Sequence, residues 1–283
     1  MISPPPPAKT IAQALSDALS PKLPRLEAQL LMLNALGKST QQRSWLISHD
    51  TDVLDATVLA RFEDFCQRRK LDEPIAYITG NKEFFGLNLQ VDARVLDPRD
   101  DTETLVDWAL ACLEGTQAPS VLDLGTGSGA VALAIASSRP DALVHASDAS
   151  TDALAVAAQN AARLGLKLTL GQGNWFANTL LAQRYDLIVS NPPYVAADDP
   201  HLAALTHEPL QALASGADGL DDIRLIIAGA PAHIQAGGWL LLEHGYDQAA
   251  AVCDLLRKAG FTNIATHRDL AGVDRCSGGQ MAQ

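Results

Sequence analysis

The 283-residue chain predicts an α/β fold: a mostly parallel sheet with helices on both faces, preceded by a small N-terminal helical domain and a β-hairpin linker. Three observations carry this. Beyond about residue 96, short apolar runs alternate with helical segments, the pattern of successive strand and helix units. Before residue 74, apolar residues recur at helical spacing. Between the two, Pro74 breaks the helical pattern and strand-forming residues follow. The domains are drawn at 1–73, 74–95 and 96–283, since the length exceeds the roughly 100–200 residues of one typical domain.

In the first domain Ile11, Leu15 and Leu19 recur at fourfold spacing, followed by Leu26, Leu30 and Leu33, then Val53, Leu54, Val58, Phe62 and Phe65. Pro24 suits a first helical turn and Gly37 a helix end. Thr51 or Asp52 is expected to cap the last helix, whose Arg68-Arg69-Lys70 complements the negative end of its dipole. In the linker, Tyr77-Ile78-Thr79 and residues 84–91 flank Gly80-Asn81, where a hairpin is expected to turn. The third domain should place strands at 121–124, 143–147, 187–190 and 239–243, with helices over 130–138, 152–164 and 223–234.

Composition excludes several classes. With 47% hydrophobic residues and a mean hydropathy of +0.04, the chain has material for a buried core and no overall signature of disorder. A net charge of −12 and a pI near 4.9 argue against a broad phosphate-binding surface, which needs clustered Lys and Arg. Cys66, Cys112, Cys253 and Cys276 lack metal-knuckle or redox-pair spacing, so no metal site is expected. The start, with Pro4-Pro5-Pro6-Pro7, has no signal-peptide pattern and is expected to be an extended tail. No apolar stretch reaches about 18 residues. A cytoplasmic monomer without stable nucleic-acid or membrane binding is the expectation.

Two motifs carry chemistry. In Asp123-Leu124-Gly125-Thr126-Gly127-Ser128-Gly129, Gly125, Gly127 and Gly129 permit a tight turn and close backbone approach, and Thr126 and Ser128 add hydroxyls before a helix N-terminus. Asp148 ends the next strand at about the 20-residue separation expected of a ribose-binding carboxylate. The loop alone fits a nicotinamide dinucleotide or S-adenosyl-L-methionine. The third glycine, however, follows the second by two residues where the dinucleotide fingerprint wants three. The second motif, Asn191-Pro192-Pro193-Tyr194, ends an apolar run and has no evident role in hydride transfer, which favours the methyl donor. The Asn191 side-chain carbonyl and the Pro192 backbone carbonyl are two acceptors able to hold an NH2 group, with Tyr194 placed to stack on a planar target. An amide or aromatic amine nitrogen is a poor nucleophile, so catalysis would come from orientation.

These motifs, with Glu73-Pro74-Ile75-Ala76-Tyr77-Ile78-Thr79-Gly80, Glu83-Phe84, Pro98-Arg99, Asp101-Thr102-Glu103, Asn174-Trp175-Phe176, Glu208-Pro209, Ala217-Asp218-Gly219-Leu220 and Leu242-Glu243-His244-Gly245, make the chain resemble the peptide chain release factor N(5)-glutamine methyltransferase family over nearly its whole length. The resemblance implies a Rossmann-like, seven-stranded class I methyltransferase sheet and an N-terminal helical domain that helps grip the substrate. That substrate would be a peptide chain release factor, methylated by S-adenosyl-L-methionine on the glutamine of its Gly-Gly-Gln loop. It further implies that Gly125, Thr126, Gly127, Ser128 and Gly129 surround the donor's methionine portion, that Asp148 binds ribose and that Trp175 lies by the adenine. Asn191, Pro192, Pro193 and Tyr194 would receive the glutamine amide. Arg99, Glu103, Asn174 and Glu208 are secondary candidates, Glu103 as a group orienting Arg99. The chain departs from the family at Asp100, where proline is usual, at His207, where an aromatic residue is common, and at Arg275-Cys276-Ser277-Gly278.

The main alternative is an adenine N-methyltransferase acting on DNA or RNA, whose flipped base would use the same two acceptors. The acidic chain and the lack of a basic target domain count against it. A non-catalytic cofactor-binding module is a further alternative. Gly278-Gly279-Gln280 repeats the tripeptide this family modifies, and its place near the chain end predicts an edge strand or frayed tail.

Overall fold

The computed structural model describes residues 8–178 and 184–282; the Pro4 to Pro7 tail lies outside the described residues. The chain divides into two compact units, Met1–Gly80 and Asn81–Gln283.

The first unit is helical: α1 (Ile11–Ala18), α2 (Arg25–Ala35), α3 (Arg43–Ser48), α4 (Ala56–Lys70) and α5 (Ile75–Thr79). Thr10 opens α1 with a reciprocal capping box to Gln13. Gly37, at φ 67°, closes α2, with Lys38 N–H donating to the Leu33 carbonyl and Gly37 N–H to that of Asn34. The spaced apolar residues meet in one core around Ile11, Leu31, Leu33 and Phe62. Two expectations are corrected. The cap of α4 is Asp55, which accepts from Thr57 N–H; Thr51 and Asp52 lie in a segment whose backbone bonds to the start of α1 instead. Tyr77-Ile78-Thr79 is helical, because Pro74 starts α5, Gly80 at φ 71° ends it, and Ile78 is buried in the helical core. Burial overrides the β-propensity of these residues.

The second unit opens with the hairpin of β1 (Asn81–Phe84) and β2 (Leu87–Gln90). Its turn is Phe85-Gly86, both at positive φ, as a two-residue I′ turn requires, and not Gly80-Asn81. The hairpin is no free linker: Asn160 exchanges two hydrogen bonds with the Gln90 backbone, and Phe84 and Leu89 are fully buried. The division therefore falls after Gly80 and not at residue 73.

The remaining elements are α6 (Glu103–Cys112), β3 (Ser120–Leu124), α7 (Ala130–Ser138), β4 (Leu143–Asp148), α8 (Thr151–Leu164), β5 (Thr169–Asn174), β6 (Ala177–Asn178), β7 (Tyr185–Ser190), α9 (Asp221–Gly229), β8 (Ile234–Glu243), α10 (Ala249–Lys258), β9 (Phe261–Arg268) and β10 (Asp274–Met281). Seven strands run in the order β5-β4-β3-β7-β8-β10-β9, with two-residue β6 added beside β5. Pairs among β5, β4, β3, β7 and β8 are parallel, and β10 is antiparallel to both its neighbours. Leu122, Leu124, Ile188, Leu240 and Leu242 share one buried cluster with Ile223, Ile226, Val252 and Leu256 of α9 and α10. Alternation turns Asp123 the other way, toward the start of α7. Strand order reverses between β4 and β7 on either side of β3, so a crevice opens at the carboxyl ends of β3 and β7.

Gly278-Gly279-Gln280 lies inside β10, an inner strand between β8 and β9, and not in an edge or a frayed tail. The Gln280 amide donates to the Gly237 carbonyl and accepts from Asn263 Nδ2, each at 2.8 Å. A segment this engaged in the sheet is not presented to an active site.

Candidate active site

The glycine loop leaves β3 at Leu124 and turns through Gly125, Gly127 and Gly129, at φ 70°, 55° and 84°. Its N–H groups are shared with the next strand: Gly125 and Thr126 donate to the Ser147 carbonyl, and Gly127 to Asp148 Oδ2 at 2.9 Å. Asp123 organises the loop from below, accepting at Oδ2 from Thr126 Oγ1 (2.7 Å) and from Ala132 N–H (3.2 Å). Full burial pushes its carboxyl up to about 7 against those two bonds. A Cβ on Gly129 would sit 3.1 Å from Leu133 and 3.2 Å from Ala157, so this glycine allows α7 and α8 to approach. A Cβ on Gly125 would meet the Trp175 ring at 3.2 Å, which places that ring against the loop.

Asp148 ends β4 beside this turn. Burial raises its carboxyl above the ordinary carboxylate value, while Ser150 and Gly127 N–H groups work the other way. Each oxygen accepts one backbone N–H and keeps lone-pair capacity for a further donor. Trp175, at φ 49°, is oriented by its indole N–H, which donates to Asp222 Oδ1 at 2.9 Å.

The tetrapeptide follows β7 next door. Ser190 Oγ donates to the Leu124 carbonyl at 2.6 Å, tying the end of β7 to the end of β3. Asn191 Nδ2 donates to Thr102 Oγ1 at 3.2 Å, and the Tyr194 hydroxyl donates to Glu243 Oε1 at 3.2 Å. Gln248 Nε2 donates to the Tyr194 carbonyl, and a Cβ on Gly219 would run into that same oxygen. Burial pushes Glu243 up to about 7, opposed by Thr102, Tyr194 and Arg275. Burial also raises the Tyr194 phenol, with the nearby Glu243 charge adding to it.

A cavity of about 300 Å³ joins the two motifs. Gly125, Thr126, Gly127, Ser128, Asp148, Asn174, Trp175, Asn191 and Pro193 line it, together with Thr102, Asp123 and Asp222. Gly129, Pro192 and Tyr194 are not among its lining residues. Gly129 lies against Leu133 and Ala157, Pro192 is buried, and Tyr194 turns its hydroxyl to Glu243 rather than walling the cavity.

The secondary candidates separate. Arg99 Nη2 bonds both oxygens of buried Glu208, at 2.7 and 2.8 Å, which offsets the burial that raises that carboxyl. Glu103 does not orient Arg99: its Oε1 accepts from Phe85 N–H at 2.8 Å and holds the hairpin turn. Asp100 starts a short 3₁₀ turn and pairs with Lys82 at 2.8 Å. Arg275 reaches Asp269 and Asp101 at 3.1 and 3.4 Å.

A methyltransferase small domain model matches residues 102–218, and a PrmC N-terminal domain model matches residues 9–80. The release factor glutamine methyltransferase of Bordetella pertussis is 47% identical over 270 residues, covering 94% of this chain and 99% of that protein. The chain belongs to the release factor glutamine methyltransferase family. The family's member from Burkholderia pseudomallei is 48% identical over 267 residues, 92% of this chain and 93% of that protein. A methyltransferase of known structure from Pyrococcus furiosus, 17% identical with a TM-score of 0.52 over 70% of this chain and 91% of that chain, shares the fold.

At this family member's site the sequence reading missed Asp222 altogether, and it quoted Thr102, Asp123 and Glu243 within motifs without giving them a role. Glu243 had a signal, a carboxylate closing the run Trp239-Leu240-Leu241-Leu242. A charge that ends a buried strand needs partners, and these are what the sequence withholds.

Proposed function

We infer that this chain transfers the methyl group of S-adenosyl-L-methionine to the side-chain amide nitrogen of the glutamine in a release factor's Gly-Gly-Gln loop. The observation that carries the reading is the single cavity shared by the glycine loop, Asp148 and Asn191. The residues fit such a donor: a turn in which every second residue is a glycine without Cβ, a carboxylate with spare lone pairs for ribose hydroxyls, and an indole face suited to a base. When bound, the donor supplies an electrophilic methyl group on a sulfonium.

The chain's own contribution is position. Asn191 Oδ1, at the cavity wall, accepts an amide N–H of the target, which turns the nitrogen's π-density toward the methyl group. The new N–C bond forms as the S–C bond breaks, and the nitrogen's surplus proton leaves to water. Gly125 to Ser128 and Asp148 hold the donor, Trp175 and Asn174 border its base, and Pro193 shapes the entrance. Tyr194 supports the tetrapeptide through Glu243. Arg99 and Glu208 brace the neighbouring loop. The helical unit, with its own core, grips the release factor. The reaction belongs to the cytoplasm, where release factors work.

Peptide mapping by mass spectrometry after incubating a release factor with the donor and this enzyme tests the reading. One added methyl on the loop glutamine is expected; an added methyl on any other residue, and none there, would refute it.

A further inference from the structure

The tetrapeptide is tied down at its start by Ser190 Oγ, which donates to the Leu124 carbonyl at 2.6 Å. Its far end is held by the side-chain amide of Gln248, which reaches over from the N-terminus of α10.

Backbone partners assign both ends of that amide. Oε1 accepts from Gly245 N–H at 2.8 Å, and a backbone N–H can only donate. Nε2 donates to the Tyr194 carbonyl at 3.0 Å and to the Asp218 carbonyl at 3.2 Å, and a carbonyl can only accept. Both protons of the NH2 group are thereby used. The Gln248 backbone N–H donates in return to the Gly245 carbonyl at 3.0 Å, so the turn over 245–248 is closed twice and the side chain is held by its own backbone. Two residues without Cβ enclose the amide: a Cβ on Gly245 would stand 3.0 Å from Oε1, and one on Gly219 2.8 Å from Nε2.

Gln248 occupies the N-cap position of α10, where Ser, Thr, Asn and Asp side chains turn back to cap a helix. Its own side chain makes no capping bond. It is committed instead to three loops at once: the one after β8, the end of the tetrapeptide, and the turn at Asp218-Gly219 that leads into α9. The chain ahead of that turn is laced to the residue after Tyr194. Val195 N–H donates to the Leu213 carbonyl and Ser215 N–H to the Val195 carbonyl, each at 2.9 Å. Nearby Pro209, Gln211 and Ala212 line the cavity with Asn191 and Pro193.

We propose that Gln248 is a positioning residue for methyl transfer: its amide staples the end of the tetrapeptide to the loop on its other side and so sets where Asn191 stands in the cavity wall. This rests on the reading of the tetrapeptide as the place that receives the glutamine amide. Gln248 is not among the lining residues of the cavity. Its effect therefore belongs to kcat and not to donor affinity.

The test combines steady-state methyl transfer to a release factor, calorimetry of donor binding and thermal melts. Gln248→Glu keeps the acceptor for Gly245 N–H, and its charge suits a helix N-terminus, so the fold is expected to stand. Its second oxygen, however, faces two carbonyls. The variant should lose about tenfold to a hundredfold in kcat, the scale of a small misplacement, with the donor Kd unchanged. Its kcat relative to wild type should climb as the pH is lowered toward the range where a carboxyl takes up its proton, because the protonated group regains one O–H for one of the two carbonyls. A role in stability alone would lower the melting temperature and donor affinity and give that ratio no such pH dependence. If the glutamate variant does not fold, Gln248→Met, of similar length and without the amide, should show the same drop in kcat and no recovery at low pH. An unimpaired kcat in Gln248→Met beside an impaired Asn191→Ala would overturn the staple alone, as would a loss of donor affinity matching the loss of kcat. A fully active Asn191→Ala would overturn the staple and the tetrapeptide reading together.

Discussion

Asn191 and Asp148 line the same cavity, yet their partners divide the work between them: one faces Thr102, the other the backbone of the glycine loop. Substitution should separate them kinetically. Asn191→Ala is expected to lower kcat by roughly 10²–10³ while calorimetry finds donor affinity within a few-fold of wild type. Asp148→Ala should weaken donor binding first, since it removes the proposed ribose acceptor together with the anchor of Gly127 N–H. Equal losses of donor affinity in the two variants would contradict this division. The residues of the proposed site were legible to the extent that their chemistry is local. Glycine at 125, 127 and 129 and an Asn-Pro-Pro-Tyr run declare themselves in sequence because the backbone itself is the instrument. Thr102 and Glu243 meet the tetrapeptide only through the fold, from the start of α6 and the end of β8. No spacing rule connects them.

At the scale of elements, the parallel strands and the helices after them were readable because continuous apolar runs mark strands buried on both faces. The antiparallel end was not. β9 and β10 are partly polar, and β10 contains two glycines that look like a tail; Gly278 is buried by Leu240, Leu241 and Trp108, and Gly279 by Phe261 and Ile264 of β9. The hairpin turn was misplaced for a related reason. Gly80-Asn81 has the composition of a turn, but Gly80 is spent ending α5, and Phe85, a residue seldom found at positive φ, is held there by Glu103. The loop around Gly219 makes a direct prediction. Gly219 has a φ of 73° and its missing Cβ leaves room for the Tyr194 carbonyl. Gly219→Ala should therefore destabilise the protein by about 1–3 kcal/mol and lower kcat by shifting the tetrapeptide, both measurable by thermal melts and methyl transfer. Unchanged melting and unchanged kcat would mean that the loop accommodates the methyl group freely.

Taken whole, the molecule places two buried carboxyls, Asp123 and Glu243, beneath its functional loops, each pushed up to about 7 by burial. The folded state then holds these protons more tightly than the unfolded chain, so their contribution to stability falls as pH rises from the ordinary carboxylate values through about 7. The slope is at most about 1.4 kcal/mol per pH unit for each group. Glu243→Gln, which cannot ionise, should gain on the wild type in donor-free melts across that window; a difference constant from pH 4.5 to 7.5 would contradict the assignment. Stability is thus given up at the site for a polar network that orders it. The acidic surface, with a net charge of −12, fits a protein target better than a phosphate backbone. The most direct measurement is transfer of labelled methyl from S-adenosyl-L-methionine to a purified release factor, set beside its loop Gln→Ala variant and duplex DNA. Label on the intact factor alone is the predicted result, and label on the Gln→Ala factor or on the DNA would contradict it.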